Sequence, residues 1–177
     1  MDIKEDLTIV EIRIKSLRLQ FNYTQNEIAK LMHVSRSLIC LWEQGYANIS
    51  LKQIIKLASI YKVPLDYILG IIDKIDFKVK YKFIPTLNLK YLGIKLKETR
   101  KSLGLTQERF AKKLDTKRSS ISYYEIGKMM MSTADLKQIC ETFGVSSDYL
   151  IGNTDTFIIR TKINKIKVKD IKELITN

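Results

Sequence analysis

Thr106-Gln-Glu-Arg-Phe-Ala-Lys-Lys-Leu-Asp-Thr-Lys-Arg-Ser-Ser-Ile-Ser-Tyr-Tyr-Glu-Ile-Gly127 is the stretch whose reading decides the fold. It reads as two short helices joined by a tight turn. Thr106 is placed to cap the first helix by accepting a backbone N–H bond, and Glu108 follows early, where the helix dipole favours an acid. Phe110, Ala111 and Leu114 recur at helical spacing and define one apolar face. The pattern breaks at Asp115, a residue type that enters the left-handed region with little strain, so a positive φ is expected there. It resumes from Lys117 or Arg118, with Ile121 and Tyr124 as the inward set. The outward set is Lys117, Arg118, Ser119, Ser122 and Tyr123. Cations and hydroxyls at the leading end of a helix suit a groove lined by phosphates.

A shift of 82 residues lays a second copy of this design under the first, ungapped from Lys15/Lys97 to Gly70/Gly152. Identical pairs include Arg18/Arg100, Gln25/Gln107, Ala29/Ala111, Arg36/Arg118, Ser37/Ser119, Ile39/Ile121, Glu43/Glu125 and Gly45/Gly127. Val63…Asp66-Tyr67…Gly70 matches Val145…Asp148-Tyr149…Gly152. Helix periodicity does not force polar residues to coincide, so the chain is an internal duplication. Two copies are too few for a stacked solenoid, and each must bury its own core.

The pattern Arg…Thr-Gln…Ala…Arg-Ser…Ile…Glu…Gly, present in both copies, resembles the Cro/lambda-repressor (XRE-type) helix-turn-helix family over about two-thirds of the chain. The resemblance implies a mainly α fold of two tandem five-helix lambda-repressor-like domains, each placing its third helix in the DNA major groove. The expected boundaries are 7–72 for the first domain, 73–87 for a linker with a strand, 88–153 for the second domain, and 154–177 for a C-terminal strand and short helix. Gln25 and Gln107 would contact phosphate, as this glutamine does in the family. Arg36 and Arg118, which open the third helices, can make bidentate bonds to guanine. Their neighbours Ser35, Ser37 and Leu41 in the first copy, and Lys117, Ser119, Ser122, Tyr123 and Lys128 in the second, complete the expected DNA-binding set. The pairs Arg18–Glu43 and Arg100–Glu125 match the family's structural salt bridge.

The two copies depart from the family pattern differently. Leu38 and Leu41 lie on the first recognition helix, where Arg36 is the only cation; Leu41 occupies a position where the family carries a polar base-reader. Both copies lack the family's proline after the glycine.

The net charge of +12 is unevenly spread. Residues 1–73 carry nine basic against eight acidic side chains, and residues 88–152 carry twelve against seven. A basic balance favours double-stranded DNA as partner over a membrane surface. Cys40 and Cys140 do not correspond under the repeat; with an acidic start and no secretory leader, they point to a reducing cytoplasm. No apolar run approaches a membrane span. One histidine, no glycine-rich phosphate loop and no Cys/His cluster leave no constellation for catalysis, and no cofactor or metal is expected.

Outside the repeats, Phe77, Val79, Tyr81 and Phe83 alternate with lysines, and Phe157, Ile159, Thr161 and Ile163 alternate later. Period two is a strand signal, and a lone strand needs a partner. The two segments are therefore expected to pair within one chain or across a homodimer. Asp170–Ile175 reads as a short amphipathic helix. The connection from about residue 71 to 88 would reach roughly 60 Å if extended, so it leaves inverted and direct half-sites equally open.

The leading reading is a sequence-specific DNA-binding transcriptional regulator, repressor-like, with two readers per chain. The alternative is a protein-interaction module, antirepressor or inhibitor-like, in which the Leu38/Leu41 face of the first copy docks a protein. RNA binding ranks third, because the aromatics form no stacking platform beyond Phe77 and Tyr81.

Overall fold

The computed structural model describes residues 8–156, and these are helical throughout apart from their connections. The first five helices are α1 (Ile9–Gln20), α2 (Gln25–Met32), α3 (Arg36–Glu43), α4 (Leu51–Tyr61) and α5 (Leu65–Ile68). The second five are α6 (Leu89–Ser102), α7 (Gln107–Lys113), α8 (Arg118–Glu125), α9 (Thr133–Phe143) and α10 (Ser147–Ile151). Each set packs on itself: α1 touches α3 and α5, and α4 touches α2 and α5, while α6 and α7 flank α8 and α10 closes on α6 and α9.

The helix starts are chemically explicit. Thr24 and Glu27 form a reciprocal capping box at α2, Ser50 and Gln53 another at α4, and Ser132 and Asp135 a third at α9. Such caps contribute about 1 kcal/mol each. Thr106 accepts from Arg109 N at α7, as its position in sequence leads one to expect. The tight turns also follow the residue types: His33 has φ 57° and Asp115 has φ 48°. Just past each, the chain folds back, with Val34 N donating to Ala29 O and Thr116 N to Ala111 O. Equivalent side chains of the fourth helices hold these turns, Lys56 donating to Met32 O and Gln138 to Leu114 O, both at 3.1 Å.

The buried apolar residues of the two units join in one continuous core rather than the two separate cores expected from the repeat, with one part behind each third helix. Ile28, Ile39, Trp42, Leu51 and Ile54 are buried in the first, and Leu96, Phe110, Ile121, Leu136 and Leu150 in the second. Phe110 stacks on Phe143 with centroids 4.2 Å apart. Cys140 is fully buried, and burial pushes its thiol well up from the usual range.

The strand expected at Phe77–Phe83 does not form, and no strand occurs among the described residues. Asp76 turns the chain instead, its carboxylate accepting from Lys78 N and its carbonyl from Val79 N. Phe77 is 92% exposed, and Phe83 takes φ 51°, which interrupts extended backbone. Val79, Tyr81 and Phe83 are half-buried and the lysines between them exposed, so the alternation marks a connection laid against the helices rather than a strand paired in a sheet. The segment is tacked down at isolated points, Lys82 N to Asn153 O, Ile84 N to Asn153 Oδ1, and Ser59 Oγ to Phe83 O. The second expected strand, 157–163, and the expected helix at 170–175 lie outside the described residues.

Candidate nucleic-acid interface

The third helix of the second unit, α8, is built to expose one end. Ile121, Tyr124 and Glu125 of α8 are buried, while Lys117, Arg118 and Ser119 at its start are exposed. Ser122 is half-buried and Tyr123 is exposed, with the Lys128 ammonium 5.0 Å from the centre of the Tyr123 ring. Lys117 is the N-cap of α8 and supplies no side-chain bond to it. Among the described residues no ion pair engages Lys117 or Arg118.

In the first unit Ser35, Arg36 and Ser37 stand exposed at the start of α3. Ser35 caps that helix by accepting from Leu38 N at 3.2 Å. Leu41 is half-buried, and Leu38 packs partly against the core, so this helix presents less free apolar surface than its sequence suggests. Cys40 is half-buried beside them.

Behind each third helix lies the same buried network. Arg18 grips Glu43 through Nε (2.5 Å) and Nη2 (2.9 Å), and donates to Tyr23 O at 2.9 Å. Arg100 grips Glu125 likewise (2.5 and 3.0 Å) and donates to Leu105 O at 2.7 Å. Hydrogen bonding to the glutamate holds each guanidinium more firmly in its charged form. Gln25 and Gln107, expected at phosphate, donate their amide nitrogens inward to Glu43 (3.1 Å) and Glu125 (2.9 Å). Each glutamine is half-buried, so the amide is oriented from behind at the start of the second helix. Tyr124 donates to Asp135 at 2.9 Å; burial first, and that bond second, push its hydroxyl up to about 12.

The structure adds residues that sequence reading passed over. Arg13 is buried on α1, donates to Ile72 O at 2.5 Å and to Asp73 at 2.8 Å, and lies over the Tyr67 ring at 4.4 Å. Asp66 and Asp148 are buried where α5 meets α10. Asp66 accepts from Ser147 N (2.7 Å), Ser147 Oγ (2.6 Å) and Ser146 Oγ (2.7 Å). Asp148 accepts from Leu65 N and Asp66 N, both at 2.9 Å, and from Asn153 Nδ2 at 2.5 Å. Each carboxylate thus caps the short helix of the other unit. The repeated Asp-Tyr dipeptide was the available signal, but an acid in a first turn reads locally as a dipole partner.

Two short helices joined by a left-handed turn, with an outward third-helix end that is polar in both units, define a doubled helix-turn-helix protein. Comparison with known proteins agrees: a helix-turn-helix family profile matches residues 14–68, and a helix-turn-helix domain profile matches residues 93–156. The chain is 41% identical over 54 residues to an uncharacterized HTH-type transcriptional regulator of Archaeoglobus fulgidus, covering 30% of this chain and 76% of that protein. It is 31% identical over 88 residues to the HTH-type transcriptional regulator ImmR of Bacillus subtilis, covering 46% of this chain and 68% of that protein. No solved structure gives a significant match. The chain belongs to the XRE-type helix-turn-helix family of DNA-binding transcriptional regulators. Among the described residues no helix is long and apolar enough to cross a membrane.

Proposed function

We propose that the chain is a sequence-specific, repressor-like regulator that reads double-stranded DNA with two helices, α3 and α8, one from each of the units 7–72 and 88–153. The observation that carries this is the exposure of Lys117, Arg118 and Ser119 at the leading end of α8, with Ile121, Tyr124 and Glu125 buried behind them. Arg118 and Arg36 read base edges in the major groove, and a bidentate arginine–guanine contact is worth roughly 1–3 kcal/mol of discrimination. Lys117 and Lys128 neutralise phosphates. Gln25 and Gln107 touch phosphate through the amide oxygen, their nitrogens being tied to Glu43 and Glu125. Ser35, Ser37, Ser119, Ser122, Leu41 and Tyr123 fill the groove beside them; Leu41 suits a thymine methyl.

The test is binding to selected and to random duplexes as salt rises. A marked preference for selected sequence at every salt concentration supports the reading. A steep salt dependence without preference would reduce the protein to a non-specific binder.

A further inference from the structure

The contact between the units is the same contact made twice with the roles exchanged. Under the 82-residue register Asp66 corresponds to Asp148 and Leu65 to Ser147. Asp66 accepts from the Ser147 amide at 2.7 Å, and Asp148 accepts from the Leu65 amide at 2.9 Å. Reciprocity of this kind is the mark of a two-fold, isologous interface; a head-to-tail arrangement would join two different patches. Where the copies differ, the bond is conserved by other means. Pro64 has no N–H, and Asp148 takes the Leu65 and Asp66 amides; Ser146, at the matching position, donates its hydroxyl to Asp66.

A second crossing is independent of the carboxylates. Thr133 Oγ1 donates to Ile49 O at 3.0 Å, and residues 48–51 face residues 130–133 across one groove. These segments are also equivalent under the register, so the axis runs between them too. They end the loops that follow α3 and α8 directly. Copies related by a two-fold lie at the same height along its axis, so the two third helices flank it at one level.

We propose that one chain acts as a ready-made dimer, binding a single duplex at an inverted repeat with unlike halves. The inference rests on the function proposed above. The halves are unlike because the readers are: Ser35, Leu38, Cys40 and Leu41 of the first unit stand where the second has Lys117, Ser120, Ser122 and Tyr123. The half-site centres fall about one helical turn apart, roughly 34 Å, as for two-fold readers generally. No assembly step precedes binding, so occupancy rises hyperbolically with protein concentration.

The experiment is selection of bound duplexes from a random pool by the full chain, then stoichiometry on the winner by native mass spectrometry. Enrichment of an inverted, asymmetric motif bound by one chain supports the proposal. Enrichment of a direct repeat, of a lone half-site, or of a site needing two chains overturns it while leaving sequence-specific DNA binding standing. No enrichment at all overturns the function itself, and this proposal with it. A second measurement needs no variant protein: about five base pairs inserted between the half-sites turn them to opposite faces of the duplex. The locked pair then loses the gain of linked binding, on the order of 10²–10⁴-fold in affinity. Unchanged affinity would mean two readers on a loose tether and would overturn the fixed two-fold.

Discussion

In the first unit the first helix carries Glu11 where the second unit carries Gly93. A Cβ on Gly93 would stand 2.6 Å from the carbonyl oxygens of both Tyr124 and Glu125, so α6 lies hard against the end of α8. Glu11 keeps a side chain at the matching place, accepts from the Thr8 hydroxyl, and lines the groove between the units. The two units also charge their third helices differently. The second opens α8 with Lys117 and Arg118 and follows it with Lys128; the first opens α3 with Arg36 alone, behind a serine cap. One unit is clasped and cationic, the other more loosely backed and nearly neutral. A shared backbone plan therefore fixes where the third helix stands, while a few side chains decide how firmly it is held and how strongly it attracts a polyanion.

The largest test asks whether the units are equally dependent on their buried ion pair. Glu43→Ala and Glu125→Ala each strand a buried guanidinium, and each should cost about 3–5 kcal/mol in denaturant unfolding. A much smaller loss in either unit would show that its network is dispensable. Next comes the close approach itself. Gly93→Ala should cost about 1–3 kcal/mol through overpacking, whereas Glu11→Ala should stay within roughly 0.5 kcal/mol. Equal effects would erase the contrast drawn above.

On DNA, Arg118→Ala should weaken operator binding by roughly 1–3 kcal/mol, with a smaller loss for Arg36→Ala. The reverse order would make the first unit the principal reader, and no loss from either change would favour protein docking. Lys128→Ala should lower affinity about evenly across sequences and reduce the salt slope by about one.

The smallest expected effect concerns pH. Burial, and then the neighbouring charge of Asp66, push the Asp148 carboxyl up to about 7. Between the ordinary carboxylate range and pH 7 the folded chain holds a proton that the unfolded chain has released. Stability contributed by this group is therefore present at low pH and fades as pH rises through about 7. Melting temperature should climb modestly from pH 8 to pH 6, and this component of the slope should vanish in Asp148→Asn.

Much of this plan could be read before any coordinates. Periodicity placed the helices, and residue type placed the left-handed turn at Asp115, because both signals are local. The salt bridges were legible because a charged pair repeated intact in both copies. What escaped was whatever depends on contact between distant segments. Asp66 and Asp148 looked like ordinary first-turn acids, since nothing near them in sequence reveals that their partners sit some eighty residues away. Arg13 gave no signal for the same reason. The period-two run at Phe77–Phe83 misled because alternation shows which residues share a face, not whether a neighbouring strand pairs with the backbone. Gln25 and Gln107 were placed at the right helix ends, but their amide nitrogens turn toward a glutamate that sequence alone does not locate.

The exchanged carboxylates carry a consequence for how such a protein changes over generations. A symmetric homodimer that alters its reading residues alters both halves of its target at once, so every trial is doubled. Here the counterpart arrives on the same polypeptide, and a substitution at Leu41 or Tyr123 is felt on one side only. On the proposed two-reader binding, specificity is free to drift one half-site at a time, while the shared clasp keeps the spacing between them constant.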